Sequence, residues 1–305
     1  MTGDGRPVSP TPGCGERGRS TSGTMVNAMT VDVEDYFHVS AFDTIVSRAS
    51  WDGFDSRVSR NTDRLLELFD RAGVCGTFFV LGWVAERYPA LVRRIADQGH
   101  EVASHGYHHQ LLYMLTPQQF REDIRTAKAA IENACGRAVL GFRAPSYSII
   151  QSSMWAIDIL IEEGYAYDSS IFPIHHDRYG IPDSPRHPYT LNRAGGSLLE
   201  LPGSTVRVAG VNLPIAGGGY FRQLPYAWTR WGIDRVNRVE RRPVVFYTHP
   251  WEVDPEQPRL RVSAATRVRH YRGLEQTTVR LIRLLRDFRF DSIATVMALA
   301  PSNAA

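Results

Sequence analysis

Short apolar runs rich in β-branched and aromatic residues alternate along this chain with amphipathic stretches of ten or more residues. That rhythm limits the fold more than any other feature. Ala28–Val33, Gly76–Leu81, Glu101–Ser104, Val139–Arg143, Tyr165–Asp168 and Val244–Thr248 read as strands. Between them, Asn61–Ala72 puts Leu65, Leu68, Phe69 and Ala72 on one helical face and stops at Gly73. Tyr88–Gln98 stops at Gly99, and the stretch opened by Pro117 stripes Phe120, Ile124, Ala127 and Ile131. Ser153–Glu163 stops at Gly164, and Leu281, Leu284, Leu285 and Phe288 stripe a last helix. Strands separated by helices form parallel βαβ units, so the candidates are a doubly wound sheet or a (β/α) barrel.

The first two dozen residues lack apolar periodicity and the apolar core of a secretory signal, which predicts a disordered tail over residues 1–25. Gly13, Gly15 and Gly18 spell a G-x-G-x-x-G there, but no strand precedes them and no helix follows, so dinucleotide binding is excluded. A core is expected over 26–172. The Pro- and Gly-rich segment Phe172–Arg242 breaks the rhythm and reads as an excursion within a C-terminal region, 173–292, that also holds the last core strand (244–249) and the terminal helix; 293–305 reads as a second tail. No apolar stretch reaches the ~18–20 residues that span a bilayer. A net charge of +3 argues against a nucleic-acid partner. Lys128 is the only lysine and no glycine-rich stretch ends in Gly-Lys, which removes P-loop chemistry. The three cysteines form no C-x-x-C pair, so a zinc ribbon or thioredoxin-type site is absent. The compartment expected is the cytoplasm, including the periphery of the inner membrane.

Polar residues gather just behind the strands, where α/β folds build active sites. Asp32-Val33-Glu34-Asp35 follows the first strand: either a solvated loop, or a metal-ligating carboxylate beside a general base. His105-Gly106-Tyr107-His108-His109 follows the third. His105 and His109 have the i, i+4 spacing that sets two imidazoles on one face of a helical turn, a metal-binding geometry that surface histidines also show by chance. Arg143 stands at a strand end, where a buried guanidinium needs a carboxylate. Asp168 and His249 end two further strands. A glycosidase built on paired carboxylates would leave the histidine pair unexplained.

In that order these residues resemble the five motifs of the polysaccharide deacetylase family, the carbohydrate esterases with a NodB-like domain. The motifs fall on Thr30-Val31-Asp32-Val33-Glu34-Asp35, on His105 to His109, on Arg143-Ala144-Pro145, on Asp168-Ser169-Ser170 and on Tyr247-Thr248-His249. DVEDYFHVSAF, GGGYFR and YTHPWE resemble a narrower subfamily found with exopolysaccharide export and exosortase gene clusters. The resemblance implies a distorted (β/α) barrel with a C-terminal extension. It also implies a hydrolase that takes N-acetyl groups from a glycan, using a divalent metal such as Zn2+. Asp32 would be the base and Arg143 its partner. Glu34, His105 and His109 would hold the metal, with Asp35 the rival to Glu34. His249 would be the acid, steered by Asp168, and the Tyr147 N–H an oxyanion donor. The chain departs from the family at Asp-x-Glu-Asp and at Gly106, where a hydroxyl residue is usual. A metal-independent, allantoinase-like hydrolase of small cyclic amides and an inactive glycan-binding relative are the alternatives. Trp251, next to His249, is expected to line the groove, and Arg259, Arg261, Arg267, Arg269 and Arg272 form a basic stretch.

Overall fold

The computed structural model describes residues 25–299, so the expected N-terminal tail lies almost wholly outside the described residues, as do residues 300–305. The first strand, β1 (Val26–Val33), is buried along its length after the first residue. That is what a parallel strand with both faces covered requires. Its side chains divide by parity. Met29, Val31 and Val33 join Leu65, Leu66 and Phe69 in the main core outside the sheet. Ala28 instead packs with Phe79, Ala103, Tyr167, Leu201 and Val245 in a second cluster that fills the concave side.

The next elements in chain order are α1 (Val58–Ala72), β2 (Thr77–Val80), α2 (Gly82–Arg87), α3 (Pro89–Asp97), β3 (Glu101–Ser104), α4 (Pro117–Cys135), β4 (Gly141–Phe142), α5 (Ala156–Glu162) and β5 (Tyr167–Asp168). Then come β6 (Tyr189–Arg193), β7 (Gly196–Glu200), β8 (Thr205–Val208), β9 (Val211–Pro214), α6 (Gly218–Gln223), α7 (Tyr226–Arg235) and β10 (Val245–Thr248). The chain closes with α8 (Ala264–Tyr271), α9 (Leu274–Asp287), β11 (Arg289–Asp291) and α10 (Ile293–Val296). The main sheet runs β10-β1-β2-β3-β4-β5-β7-β6, with β11 beside the start of β1. Every pairing is parallel except the β6–β7 hairpin. Between the two end strands of the sheet, β6 and β10, no ladder forms among the described residues. The seam is bridged where the Val245 N–H donates to Ser204 Oγ at 2.8 Å. The result is the distorted barrel that the motif order implies.

Several expectations need correction. The strands at Val139–Arg143 and Tyr165–Asp168 shrink to two residues each, and a helix not foreseen, α2, opens immediately after β2. The excursion is not unstructured: β7 enters the main sheet beside β5, and β8–β9 form a separate hairpin. Residue 293 does not begin a tail. Ile293 is fully buried and its N–H donates to Thr77 Oγ1 at 2.8 Å. Among the described residues no helix is long and apolar enough to cross a membrane.

Candidate active site

Asp32 is the last concave-facing residue of β1. Its Oδ1 accepts a hydrogen bond from Arg143 Nη1 at 2.7 Å. Arg143 is fully buried, and every arm of its guanidinium is used. Nη1 also donates to Thr30 Oγ1 at 2.7 Å, Nε to the Ser169 carbonyl at 3.1 Å and Nη2 to Ser169 Oγ at 2.9 Å. The group lies over the Phe79 ring, 4.1 Å from its centroid. This satisfaction lets a charge persist in the interior, and the ion pair keeps Asp32 Oδ1 in one place.

Glu34 lies just past the strand. Its Oε2 is 2.7 Å from His109 Nε2, and its Oε1 accepts the Trp251 indole N–H at 3.0 Å. His105 Nδ1 lies 2.7 Å from the Arg143 carbonyl. A carbonyl can only accept, so Nδ1 carries the proton and Nε2 presents its lone pair to the site. Burial pushes His105 down to about 4, so it is neutral at neutral pH. Burial alone would raise the Glu34 carboxyl, but adjacent His109 outweighs it and holds the group below the usual carboxylate range. One donor atom from each of Glu34, His105 and His109 lies within 4.8 Å of the others. An ionised carboxylate with a neutral, correctly protonated imidazole is the donor chemistry a divalent first-row cation takes, so the residues fit such an ion. Asp35 is employed elsewhere: its Oδ2 accepts from Ser56 Oγ and from the N–H groups of Arg57 and Val58, capping α1.

The histidine pair is not on a helical turn. Gly106 and His109 both sit in the left-handed region, at φ 73° and 51°, and the loop they bend brings the two rings to 5.4 Å. A Cβ at position 106 would lie 2.9 Å from Asp123 Oδ2, so any side chain there would force that carboxylate to move and would also be strained by the positive φ. Asp123 on α4 supports the loop instead, accepting the N–H of Tyr107 at 2.8 Å and of His108 at 3.3 Å.

His249 follows β10. Its Nε2 is 3.8 Å from Asp32 Oδ2 and 3.7 Å from Glu34 Oε1. Asp168 is not its partner. That carboxyl stands opposite Glu200 in the β5–β7 register and accepts from Ser170 Oγ at 2.5 Å. Both carboxyls are fully buried, and burial first of all raises them; for Glu200 the Asp168 charge adds to it. The carboxylate beside His249 Nδ1 is Glu252, at 3.1 Å. Glu252 also accepts from Arg222 Nε at 2.5 Å, and Arg222 donates to the carbonyls of His270 and Arg272 at 2.7 and 2.9 Å. Burial would lower the His249 imidazole, but Glu252, with Glu34 and Asp32 behind it, raises it to about 9. Burial would raise Glu252, yet Arg222 and then His249 bring it to about 2. His249 is therefore cationic at neutral pH, poised to give up a proton.

Trp251 is 4% exposed and does more than line the groove. It stacks on His249 at 5.0 Å and on His270 at 4.3 Å, while its N–H holds Glu34. The Tyr147 N–H donates to the Ala144 carbonyl at 3.1 Å, so the expected oxyanion donor is already engaged. Reading the sequence missed Glu252 and Arg222. The available signal for the first was His-Pro-Trp-Glu, a proline-led turn with an acid three residues after the histidine.

These groups form the floor of a cleft of about 480 Å3, walled in part by Arg178, Tyr179, Tyr220 and Arg269. Residues 48–160 match the polysaccharide deacetylase family, and residues 169–298 match a domain of unknown function, DUF3473. A peptidoglycan deacetylase-like protein of Gibberella zeae is 36% identical over 110 residues, which cover 35% of this chain and 32% of that protein. A chitooligosaccharide deacetylase of Sinorhizobium fredii is 37% identical over 100 residues, 32% of this chain and 44% of that one. The chain thus spans less than half the length of these curated relatives. The solved structure of Puue allantoinase superposes with a TM-score of 0.61 at 14% identity, covering 99% of this chain and all of that one, a likeness of fold. Through residues 48–160, which hold His105, His109 and Arg143, the chain is similar to the polysaccharide deacetylase family.

Proposed function

We propose that this protein hydrolyses the N-acetyl groups of a polysaccharide or oligosaccharide, releasing acetate and a free amine. The observation that carries the reading is that the cationic His249 lies within 4 Å both of Asp32, which is paired to Arg143, and of Glu34, one of the donor set Glu34, His105 and His109. Zn2+, or another first-row divalent cation, held by those three residues would polarise the acetamide carbonyl and make a nearby water more acidic.

The protein groups do the rest. Asp32 Oδ2, the oxygen not bonded to Arg143, takes a proton from the attacking water as the C–O bond forms. Arg143 keeps that carboxyl oriented. His249 delivers the proton on Nε2 to the amide nitrogen as the C–N bond breaks, because an amide anion is too basic to leave unprotonated. Glu252 keeps His249 charged until that moment. The match of residues 169–298 to DUF3473, with the stretches DVEDYFHVSAF and YTHPWE, supports a substrate in exopolysaccharide assembly.

Acetate release from N-acetylglucosamine oligomers by the metal-loaded chain, lost on chelation and restored by Zn2+, is the expected result. Full turnover after chelation, or activity confined to cyclic amides, overturns the reading.

A further inference from the structure

We infer that the wall of the cleft carries a subsite for a carboxylate-bearing sugar, formed by Arg178 and Arg269, so that the glycan bound is acidic. Calling that glycan a substrate rests on the deacetylase reading; its binding does not.

The charges on the floor are matched within the protein: Asp32 by Arg143, and Arg222 by Glu252. Among the described residues that line the cleft, Asp32 and Glu34 are the carboxylates, and both lie buried at its floor. The wall has no such balance. Arg178 is exposed and forms no ion pair among the described residues. Arg269 lies 3.8 Å from Asp177, with the two side chains 61% and 59% exposed, a pairing that water and salt screen to little. Arg178, Arg269 and His176 all line the cleft. Burial lowers the His176 imidazole, Asp177 opposes this, and Arg269 and Arg178 each lower it again.

Beside them is a platform suited to a pyranose ring. His176 stacks on Tyr179 at 3.8 Å, and the hydroxyls of Tyr179 and Tyr220 are 3.2 Å apart. An arginine fork engages a carboxylate through two parallel hydrogen bonds, a geometry that a neutral sugar hydroxyl cannot reproduce. Helix α8, which carries Arg269, also exposes Arg267, and Arg261 and Arg272 flank it. The approach to the cleft is therefore positive and would draw in an anionic chain.

Calorimetry on the full, Zn2+-loaded chain carrying Asp32→Asn, in which turnover is expected to be about 1,000-fold slower, tests this directly. Two probes are used: a trisaccharide of glucuronate between two N-acetylglucosamines, and the N-acetylglucosamine trimer. The acidic trisaccharide is expected to bind about tenfold tighter at low salt, the effect of one charge-assisted fork. Added salt should shrink that margin. With Arg178→Gln and Arg269→Gln also present, the two ligands should come within about twofold of each other. Equal affinities in the parent, failure of the acidic ligand to bind, or a margin that survives the double substitution would each overturn the inference. If the acidic ligand is preferred but the active chain frees no acetate from any oligomer, the subsite stands and the deacetylase reading falls.

Discussion

The two sides of the site, with the proposed proton acceptor Asp32 and the proposed proton donor His249, are built on different supports. Asp32 and Thr30 on β1, Arg143 just after β4 and Ser169 just after β5 are fixed by the sheet itself, and the Arg143 side chain reaches across it. His249 is held from outside the sheet, by Glu252 in the turn after β10, by Arg222 on α6 and by carbonyls at the end of α8 and just beyond. The first arrangement changes only if strands move. The second depends on the docking of separate segments, all within the stretch that matches a domain of unknown function. The site is thus completed by a region, residues 169–298, whose role its family match does not describe.

Asp32→Asn bears hardest on the strand-held side. It should reduce acetate release by about 1,000-fold, the scale of a lost general base, while metal content by elemental analysis stays at the parent level. A variant retaining a tenth of parental turnover would remove Asp32 from that role.

On the segment-held side, Glu252→Gln should act through proton affinity and through folding. His249 sits at about 9 because Glu252 opposes the effect of burial. Without that charge its pKa falls, so the alkaline limb of the kcat/KM profile should move to lower pH by about one unit or more. Arg222 is then left buried without its counter-ion, at a cost of about 3 kcal/mol to stability in denaturant. An unshifted alkaline limb would separate Glu252 from the acid.

Trp251→Phe should keep a ring against His249 and lose only the N–H to Glu34. Metal affinity measured by competition with a chelator should weaken about 10- to 100-fold, the usual effect of removing a group that orients a ligand. Unchanged affinity would make the two sides independent.

The smallest effect lies beneath Arg143, at the Asp168–Glu200 pair. Glu200 has a folded pKa raised above 4.5 by burial and by Asp168. A raised carboxyl contributes its stability below the unfolded value and loses it as pH climbs through the folded one. Parent Tm should therefore fall from acid toward alkaline pH more steeply than that of Glu200→Gln. Parallel curves would show that the pair shares no proton.

Much of the candidate site was legible because it is local. Asp32, Glu34, Arg143 and His249 each follow directly on an apolar run, so finding the strand finds the residue. The histidine pair was found by spacing but given the wrong conformation. Gly106, where the family has a hydroxyl, was the sign of a left-handed bend rather than a helix. Partnerships across the fold were not legible. Nothing in the chain links Arg222 to an acid 30 positions later, or tells that Asp168 meets Glu200 across a strand pair rather than His249. β7 escaped because its alternation spans five residues within a Pro- and Gly-rich segment. The strands at 141–142 and 167–168 were over-extended because apolar Val139 and Tyr165 ahead of them are buried but lie outside the ladder.

Clasped between two imidazoles and tethered to Glu34, the indole of Trp251 joins the proposed proton donor to the candidate metal site as one mechanical unit. A substitution that retunes how the leaving amine is handled will also disturb the electron donation of a carboxylate on the other flank. Leaving-group preference and metal preference in proteins built this way should therefore drift together, and an attempt to engineer one alone will have to replace that ring first.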